Sequence, residues 1–275
     1  AMAQLAGFLL EVTHNADDLR LSQAFNHQAI FAPLAKGEDH LDRLHANTQI
    51  PKIIGAAREF ELTHNDTYQT VAATFWNAVA LERSYVIGGD SDGEHFFPVA
   101  DFDRHLDAAT AETCNTYNML KLTRHIFAWD PTGKTGMQAM DFYERALYND
   151  ILASQDPATG MFTYFMSMQP GHFKTYSTPD NSFWCCVGTG MENHSKYNDS
   201  IYFHAADTLY VNLFIPSTVA WRERGVSVEQ TTGFPDEART RLNVTAGHNV
   251  AFTLAIRQPG WCAGAAGAAG HSGSA

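Results

Sequence analysis

Cysteine and basic residues are scarce in this 275-residue chain. Four cysteines are too few for a disulfide scaffold of this length. Lysine and arginine number 18 against 30 aspartates and glutamates, a net charge of −12 that argues against nucleic-acid or membrane-surface partners. No window approaches about 18 consecutive apolar residues, so the sequence predicts no membrane-spanning helix. What remains is an acidic, globular composition, 45% hydrophobic, with enough apolar mass for a sizeable core.

Several common site motifs are also missing. The segment Gly188-Thr-Gly190 lacks the third glycine and the preceding strand of a dinucleotide site. The segment Asp90-Ser-Asp92-Gly-Glu94 lacks the distal glutamate of a calcium loop. The 13 histidines include no H-E-x-x-H pair. These absences exclude three frequent classes of enzyme or metal site.

Apolar periodicity divides the chain into a helical part and a β part. Helical spacing predicts about six or seven helices up to residue 206, one of them beginning at Pro51. Helix pairs with long loops on one side favour a helical toroid, here an incomplete one. The loops 83–108 and 156–186 are rich in glycine and aromatic residues, which favours a functional role over disorder.

From Asp207 the pattern alternates with period two, which predicts an antiparallel β module of about four to six strands. We therefore expect a mainly α chain with a helical domain over 1–206, a β part over 207–262 and a disordered Ala/Gly-rich tail over 263–275.

A metal-ligand pattern joins two distant segments. Glu112 and Cys114, with the adjacent Cys185 and Cys186, form a full tetrahedral ligand set for Zn²⁺. Residues i and i+2 diverge on a regular helix, so Glu112 and Cys114 must lie in the irregular turn before one. The alternative is that the cysteines are buried apolar residues and Glu112 is an acid at a helix N-terminus.

Four long motifs together resemble the β-L-arabinofuranosidases of glycoside hydrolase families 127 and 146. The form Trp-Cys-Cys-Val-Gly-Thr-Gly is more similar to the second family than to the first. The motifs, in the order that the family has them, are Leu44–Pro51, Gly88-Gly89 followed by Gly93-Glu94, Glu112–Leu120, and Phe183–His194 preceded by Lys174–Asn181.

The resemblance implies an (α/α)6 toroid followed by a β-sandwich, and retaining hydrolysis of β-L-arabinofuranosides. It implies a zinc-bound cysteine nucleophile, which matches Cys185, and an acid/base glutamate, which matches Glu94. The other zinc ligands match Glu112, Cys114 and Cys186. The family's toroid begins upstream of residue 1, so we expect this chain to be a fragment in which both toroid and sandwich are truncated.

Two further residues are candidates for binding the sugar. The resemblance implies a hydrogen-bonding histidine at His45, although a lone loop histidine is often merely solvated. Tyr164 is placed to contact the furanose or, equally, to pack beneath a loop.

We expect the partner to be an arabinose-containing oligo- or polysaccharide. Exposed apolar faces of open helix pairs predict self-association into a homo-oligomer. Two alternatives remain open, namely a catalytically inactive remnant with a structural zinc site and a glycosidase of different sugar specificity. The bacterial cytoplasm, the periplasm and secretion are all compatible with the sequence.

Overall fold

In the computed structural model, which describes residues 2–262, 264, 266 and 267, helices fill the first two-thirds of the chain and strands the last third. The chain divides into two units, Ala1–Lys196 and Tyr197–Ala275. Most of the predicted disordered tail, 263–275, lies outside the described residues. None of the described helices is both long and apolar enough to cross a bilayer.

The first unit is built on α-helices around a buried central pair, α4 and α6. Helix α4 packs against α1, α5 and α6, and α6 packs against α7 and α8. Ile50, Ile53 and Ile54 of α4 are fully buried in this core. The described helices are α1 (Met2–Thr13), α2 (Ala16–Ala24), α3 (Gln28–Leu34), α4 (Ala46–Thr63), α5 (Asp66–Trp76), α6 (Thr113–Trp129), α7 (Lys134–Ala146) and α8 (Cys185–Ser195).

The prediction that a helix begins at Pro51 is wrong. Helix α4 begins five residues earlier, at Ala46, and Pro51 lies inside it. The reason is the cap, because the His45 ring accepts a hydrogen bond from the Thr48 amide and so ends the preceding loop. Pro51 is the sixth residue of α4, beyond the first turn, so the helix lacks there the hydrogen bond that an amide would donate to the Asn47 carbonyl.

Two long loops lie at the N-terminal end of α6. The first loop connects α5 to α6, and the second loop connects α7 to α8. They are tied together where the Thr113 amide donates to the Tyr164 carbonyl at 3.0 Å and the Met166 amide donates to the Ala111 carbonyl at 3.1 Å. A short bridge, His45 with His95, ties the first loop to the segment before α4. These bonds give the loops, predicted to be functional, defined positions above α6.

The second unit contains two three-stranded sheets that share an apolar cluster of Leu209, Trp221, Val226 and Val228. One sheet has the order β3-β4-β5 and the other has the order β1-β2-β6. The strands are β1 (Tyr202–Ala205), β2 (Thr208–Val211), β3 (Ser217–Trp221), β4 (Val226–Thr232), β5 (Thr240–Ala246) and β6 (Thr253–Ile256).

The predicted all-antiparallel β part is wrong for one pair of strands. Strand β6 runs parallel to β2, while every other strand pair is antiparallel in the described residues. The chain passes through the whole β3–β5 sheet between β2 and β6, and such a long connection can return a strand in the same direction. Period-two alternation identifies strands but carries no information about their direction.

Candidate active site

Glu112, Cys114, Cys185 and Cys186 converge where the N-terminal ends of α6 and α8 meet. One ligand atom from each residue lies within 4.8 Å of all the others. Glu112 is the N-cap residue of α6, with φ −58° and ψ 122°, and Cys114 is the second residue of the helix. The prediction that both residues precede the helix is therefore confirmed for Glu112 and wrong for Cys114, and the change from extended to helical backbone between them is what lets the two side chains point to one place.

The separations of these atoms suit a tetrahedral ion. The Sγ atoms of Cys114 and Cys186 are 3.2 Å apart, and those of Cys185 and Cys186 are 3.9 Å apart. Glu112 Oε1 lies 3.7 Å from Cys185 Sγ and 3.9 Å from Cys186 Sγ. Zinc bond lengths imply tetrahedral edges of about 3.5–3.8 Å. Three of the four separations lie in or within 0.1 Å of this range, and the Cys114–Cys186 separation of 3.2 Å is shorter. The buried Glu112 Oε2 has no hydrogen-bond partner among the described residues, as expected where a cation would satisfy a carboxylate.

Electrostatics also favour a cation at this cluster. Burial, reinforced by the charge of Glu94, raises the pKa of Glu112 to about 7. The hydrogen bond to Cys186, followed by burial, raises the pKa of Cys114, and the same bond lowers the pKa of Cys186. Burial raises the pKa of Cys185. A divalent cation would offset the raised pKa values of Glu112, Cys114 and Cys185, because it stabilises the charged thiolate or carboxylate that burial keeps away from water. The residues therefore fit zinc.

Among the four, Cys185 alone is exposed. Its Sγ atom lies 3.5 Å from the Tyr164 hydroxyl oxygen. Glu112, Cys114 and Cys186 are buried. Cys185 is therefore the sulfur that a substrate can reach.

Glu94 lies at the tip of a two-residue hairpin turn. Asp92 and His95 exchange two backbone hydrogen bonds of 3.0 Å each, and the two residues between them have positive φ, 50° at Gly93 and 69° at Glu94. This is the geometry of a type I′ turn, which strongly favours glycine or asparagine at both central positions. Glutamate in the left-handed region is uncommon and costs about 1–2 kcal/mol.

Two side chains hold the Glu94 carboxylate. The Tyr164 hydroxyl donates to Oε1 at 2.5 Å, and His45 Nε2 lies 3.3 Å from Oε2. The other ring nitrogen of His45 caps α4, which fixes the ring. Burial, followed by the hydrogen bond to Glu94, raises the pKa of Tyr164. The structure thus brings all seven sequence-predicted residues together; the role predicted for His45 and Tyr164 in binding sugar stays a prediction.

Sequence reasoning missed residues that surround the site. Thr189 Oγ1 lies 3.2 Å from Cys114 Sγ, and its spacing of three and four residues from the vicinal cysteines on α8 was the available signal. Beneath α6, Asn115 donates to Asp90 at 3.3 Å and Thr116 donates to Asp150 at 2.7 Å. Burial raises the pKa of Asp90 to about 8 and that of Asp150 to about 7.

Family and structure comparisons agree with this geometry. A family profile described as the catalytic domain of GH127 β-L-arabinofuranosidase matches residues 1–199, and the profile of the GH127 middle domain matches residues 208–270. No curated protein matches the chain.

Three solved structures share the fold. Ara127N-Se, a GH127 β-L-arabinofuranosidase from Geobacillus stearothermophilus T6, is 25% identical, with a TM-score of 0.72 over 95% of this chain and 47% of its own. The GH127 β-arabinofuranosidase BT3674 is 20% identical, with a TM-score of 0.75 over 94% and 42%. A third, described as a glycoside hydrolase, is 17% identical, with a TM-score of 0.72 over 94% and 48%.

The chain spans less than half the length of these three proteins. The catalytic-domain profile nevertheless covers well over half of the chain and includes the whole cysteine–glutamate cluster. The chain belongs to the GH127 family of β-L-arabinofuranosidase-like glycoside hydrolases.

Proposed function

We propose that this chain carries the catalytic site of a retaining β-L-arabinofuranosidase, with Cys185 as nucleophile and Glu94 as acid/base. One observation supports the pairing most directly. Both groups contact the Tyr164 hydroxyl oxygen, at 3.5 and 2.5 Å, so Cys185 Sγ and Glu94 Oε1 are at most 6.0 Å apart. That bound is compatible with the separation of about 5–5.5 Å in retaining glycosidases and lies below the 6.5–9.5 Å of inverting ones.

Glu112, Cys114, Cys185 and Cys186 would hold the metal, and three sulfurs with one carboxylate oxygen suit zinc. When bound, zinc supplies the positive charge that keeps the thiols ionised at neutral pH.

The first half-reaction forms a bond to sulfur. Cys185 Sγ attacks the anomeric carbon while Glu94, in its protonated form, donates a proton to the glycosidic oxygen. The C–O bond breaks, the leaving group departs as an alcohol, and a thioglycoside links the sugar to Cys185. Tyr164 and His45 orient the Glu94 carboxyl group for this transfer.

The second half-reaction reverses these roles. Glu94, now a carboxylate, accepts a proton from water as the water oxygen attacks the anomeric carbon and the C–S bond breaks. Two successive inversions at this carbon give the sugar its original configuration. The partner that we propose is an arabinose-containing oligo- or polysaccharide.

A second proposal concerns the architecture of the two parts of the chain. We propose that the helices of Ala1–Lys196 contribute to an (α/α)6 toroid and that strands β1 to β6, the first of which lies within the part predicted to be helical, contribute to a β-sandwich. Family membership supports the first, and the apolar cluster shared by the two sheets supports the second.

Hydrolysis of an aryl β-L-arabinofuranoside by the zinc-loaded chain tests the function. We expect Cys185→Ala to lower kcat/KM by at least about a thousandfold, because it removes the exposed thiol that would form the covalent intermediate. Glu94→Gln should lower it comparably with a substrate whose leaving group needs a proton. Cys262→Ala, outside the cluster, is the matched control and should retain full activity. Full turnover by Cys185→Ala would refute the assignment.

A purely structural zinc site is the competing interpretation. Four protein ligands leave no open coordination position, which is typical of structural sites. It predicts stoichiometric zinc and loss of stability on chelation but no hydrolysis of any furanoside. A glycosidase with another specificity would instead turn over pyranosides faster than furanosides, so a substrate panel separates the three.

A further inference from the structure

A cavity of about 410 Å³ opens beside the turn that carries Glu94. Its size falls within the 300–1,000 Å³ of typical ligand pockets. The lining includes Arg43, Asp92, His95, Phe97 and His105, none of which belongs to the proposed metal cluster.

The cavity and the acid/base group share a wall. His45 and His95 form an antiparallel bridge, flanked by hydrogen bonds such as that from the Arg43 amide to the Phe96 carbonyl at 2.8 Å. Arg43 and His95 both line the cavity. The His45 ring meets the His95 ring edge-on at 5.4 Å, and its Nε2 is 3.3 Å from the Glu94 carboxylate.

The lining suits a neutral polyhydroxylated ligand. The Arg43 guanidinium has no ion-pair partner among the described residues and offers hydrogen-bond donors. Asp92 offers acceptor oxygens and is itself held by His105 at 2.8 Å. The His105 ring stacks on Phe97 at 4.2 Å. A lining that contains both a cation and a carboxylate disfavours a strongly charged ligand. Hydroxyl groups suit it, because they can accept a hydrogen bond from Arg43 and donate one to Asp92.

We propose that this cavity binds the leaving group of the reaction, a neutral glycosyl residue to which the released sugar is linked. The inference rests on the proposed function, since Glu94 protonates the glycosidic oxygen and the leaving group must therefore lie on the Glu94 side of the bond. Arg43 donates to hydroxyls of this second sugar, and Asp92 accepts from them.

The selectivity between two leaving groups tests the subsite. We compare kcat/KM for a β-L-arabinofuranosyl disaccharide with that for the 4-nitrophenyl glycoside, which has no hydroxyl to pair with Arg43. Arg43→Asn should lower the disaccharide-to-aryl ratio about tenfold, the size expected for a lost charged hydrogen bond. Asparagine is chosen because Arg43 has φ 66°, which asparagine tolerates. Arg20→Asn, on exposed α2, is the control and should leave the ratio unchanged.

A binding measurement separates failure of the subsite from failure of the function. In the Cys185→Ala background, calorimetry should show the disaccharide binding about tenfold more tightly than methyl β-L-arabinofuranoside, an advantage that Arg43→Asn removes. Equal affinities, or an advantage that survives Arg43→Asn, would overturn the subsite while leaving hydrolysis of the aryl glycoside intact. If the unsubstituted chain cleaves neither substrate, the proposed function fails and these affinities alone decide the subsite.

Discussion

Tyr164 connects the two proposed catalytic groups, because its hydroxyl contacts both Glu94 and Cys185. We expect Tyr164→Phe to lower kcat about 10- to 100-fold while KM changes less than about threefold, since the hydroxyl orients reacting groups. Steady-state kinetics with an aryl β-L-arabinofuranoside measure this split. Tyr176→Phe, on the same loop, should change neither constant. A rise in KM with unchanged kcat would mean that Tyr164 only binds sugar.

Asp90 makes the stability of the first unit depend on pH. Its carboxyl is buried, one oxygen has no hydrogen-bond partner among the described residues, and its pKa is raised from 3.8 to about 8. Between about pH 4 and pH 8 the folded state keeps a proton that the unfolded state has lost. The free energy of unfolding therefore falls as the pH rises through this window.

Asp90→Asn should remove that dependence. Relative to the unsubstituted chain, the variant should gain stability from pH 5 to pH 8 by at least about 1 kcal/mol, since one pKa unit corresponds to about 1.4 kcal/mol. Urea unfolding at several pH values measures the difference. The same substitution at exposed Asp103 is the control, and a gap between Asp90→Asn and the unsubstituted chain that stays constant with pH would contradict the account.

The candidate site was predictable at the level of residue types but not of contacts. Three thiols and an acid form a zinc ligand set wherever they converge, and the motifs carried their order along the chain. The contact of Thr189 with Cys114 and the burial of Asp90 depend on how α8 and the loops pack on α6. No short-range sequence pattern fixes that packing.

At the scale of elements, α8 carries both vicinal cysteines and two glycines with opposite surroundings. A Cβ at Gly190 would lie 2.7 Å from the Phe162 ring, whereas a Cβ at Gly188 would meet nothing within 4 Å. The Phe162 ring is itself stacked on His194 at 5.1 Å and cannot easily move. The close contact of α8 with Phe162 therefore requires glycine at position 190 but not at position 188.

Alanine at each glycine tests this contact. Gly190→Ala should destabilise the chain by about 1–3 kcal/mol through overpacking and should weaken zinc binding. Gly188→Ala should be neutral or stabilising by up to about 1 kcal/mol, because alanine favours a helix over glycine. Thermal unfolding and zinc titration measure both effects. Equal destabilisation by the two variants would show that the Phe162 contact is not the reason for glycine at position 190.

Element boundaries and strand directions were the weakest predictions. Pro51 is a favourable first residue of a helix, yet the His45 cap moved the start of α4 to Ala46. A histidine cap is not a usual start signal, and this one depends on a ring position that Glu94 helps to fix. The β6 segment was predicted as a strand, but its parallel partner β2 is distant in sequence. The division into a helix-rich first part and a β second part was correct, but strand β1 (Tyr202–Ala205) lies inside the part predicted to be helical, and eight α-helices are described where six or seven were predicted.

At the scale of the whole molecule, the metal cluster joins the N-terminal ends of α6 and α8 beneath the two long loops. Zinc should therefore stabilise this region far more than the sheets of Tyr197–Ala275. Adding zinc to the metal-free chain at 100 times its Kd should slow local opening of the two helix ends about 100-fold.

Hydrogen exchange followed peptide by peptide measures this effect. Amides of β3, β4 and β5 serve as the internal control and should exchange at the same rate with and without zinc. Cys114→Ser should abolish the protection of α8. Uniform slowing along the whole chain, or none, would contradict a metal site confined to these helix ends.

The type I′ turn at Gly93-Glu94 has a consequence for which substitutions selection would favour at position 94. The proposed acid/base Glu94 occupies a backbone position suited to glycine or asparagine, so the proposed catalytic role and thermal stability make opposing demands on one residue. A library selected only for heat resistance would enrich glycine or asparagine at position 94 and yield proteins that are stable but inactive. Improvement of this fold for biotechnology therefore requires selection for turnover alongside selection for survival.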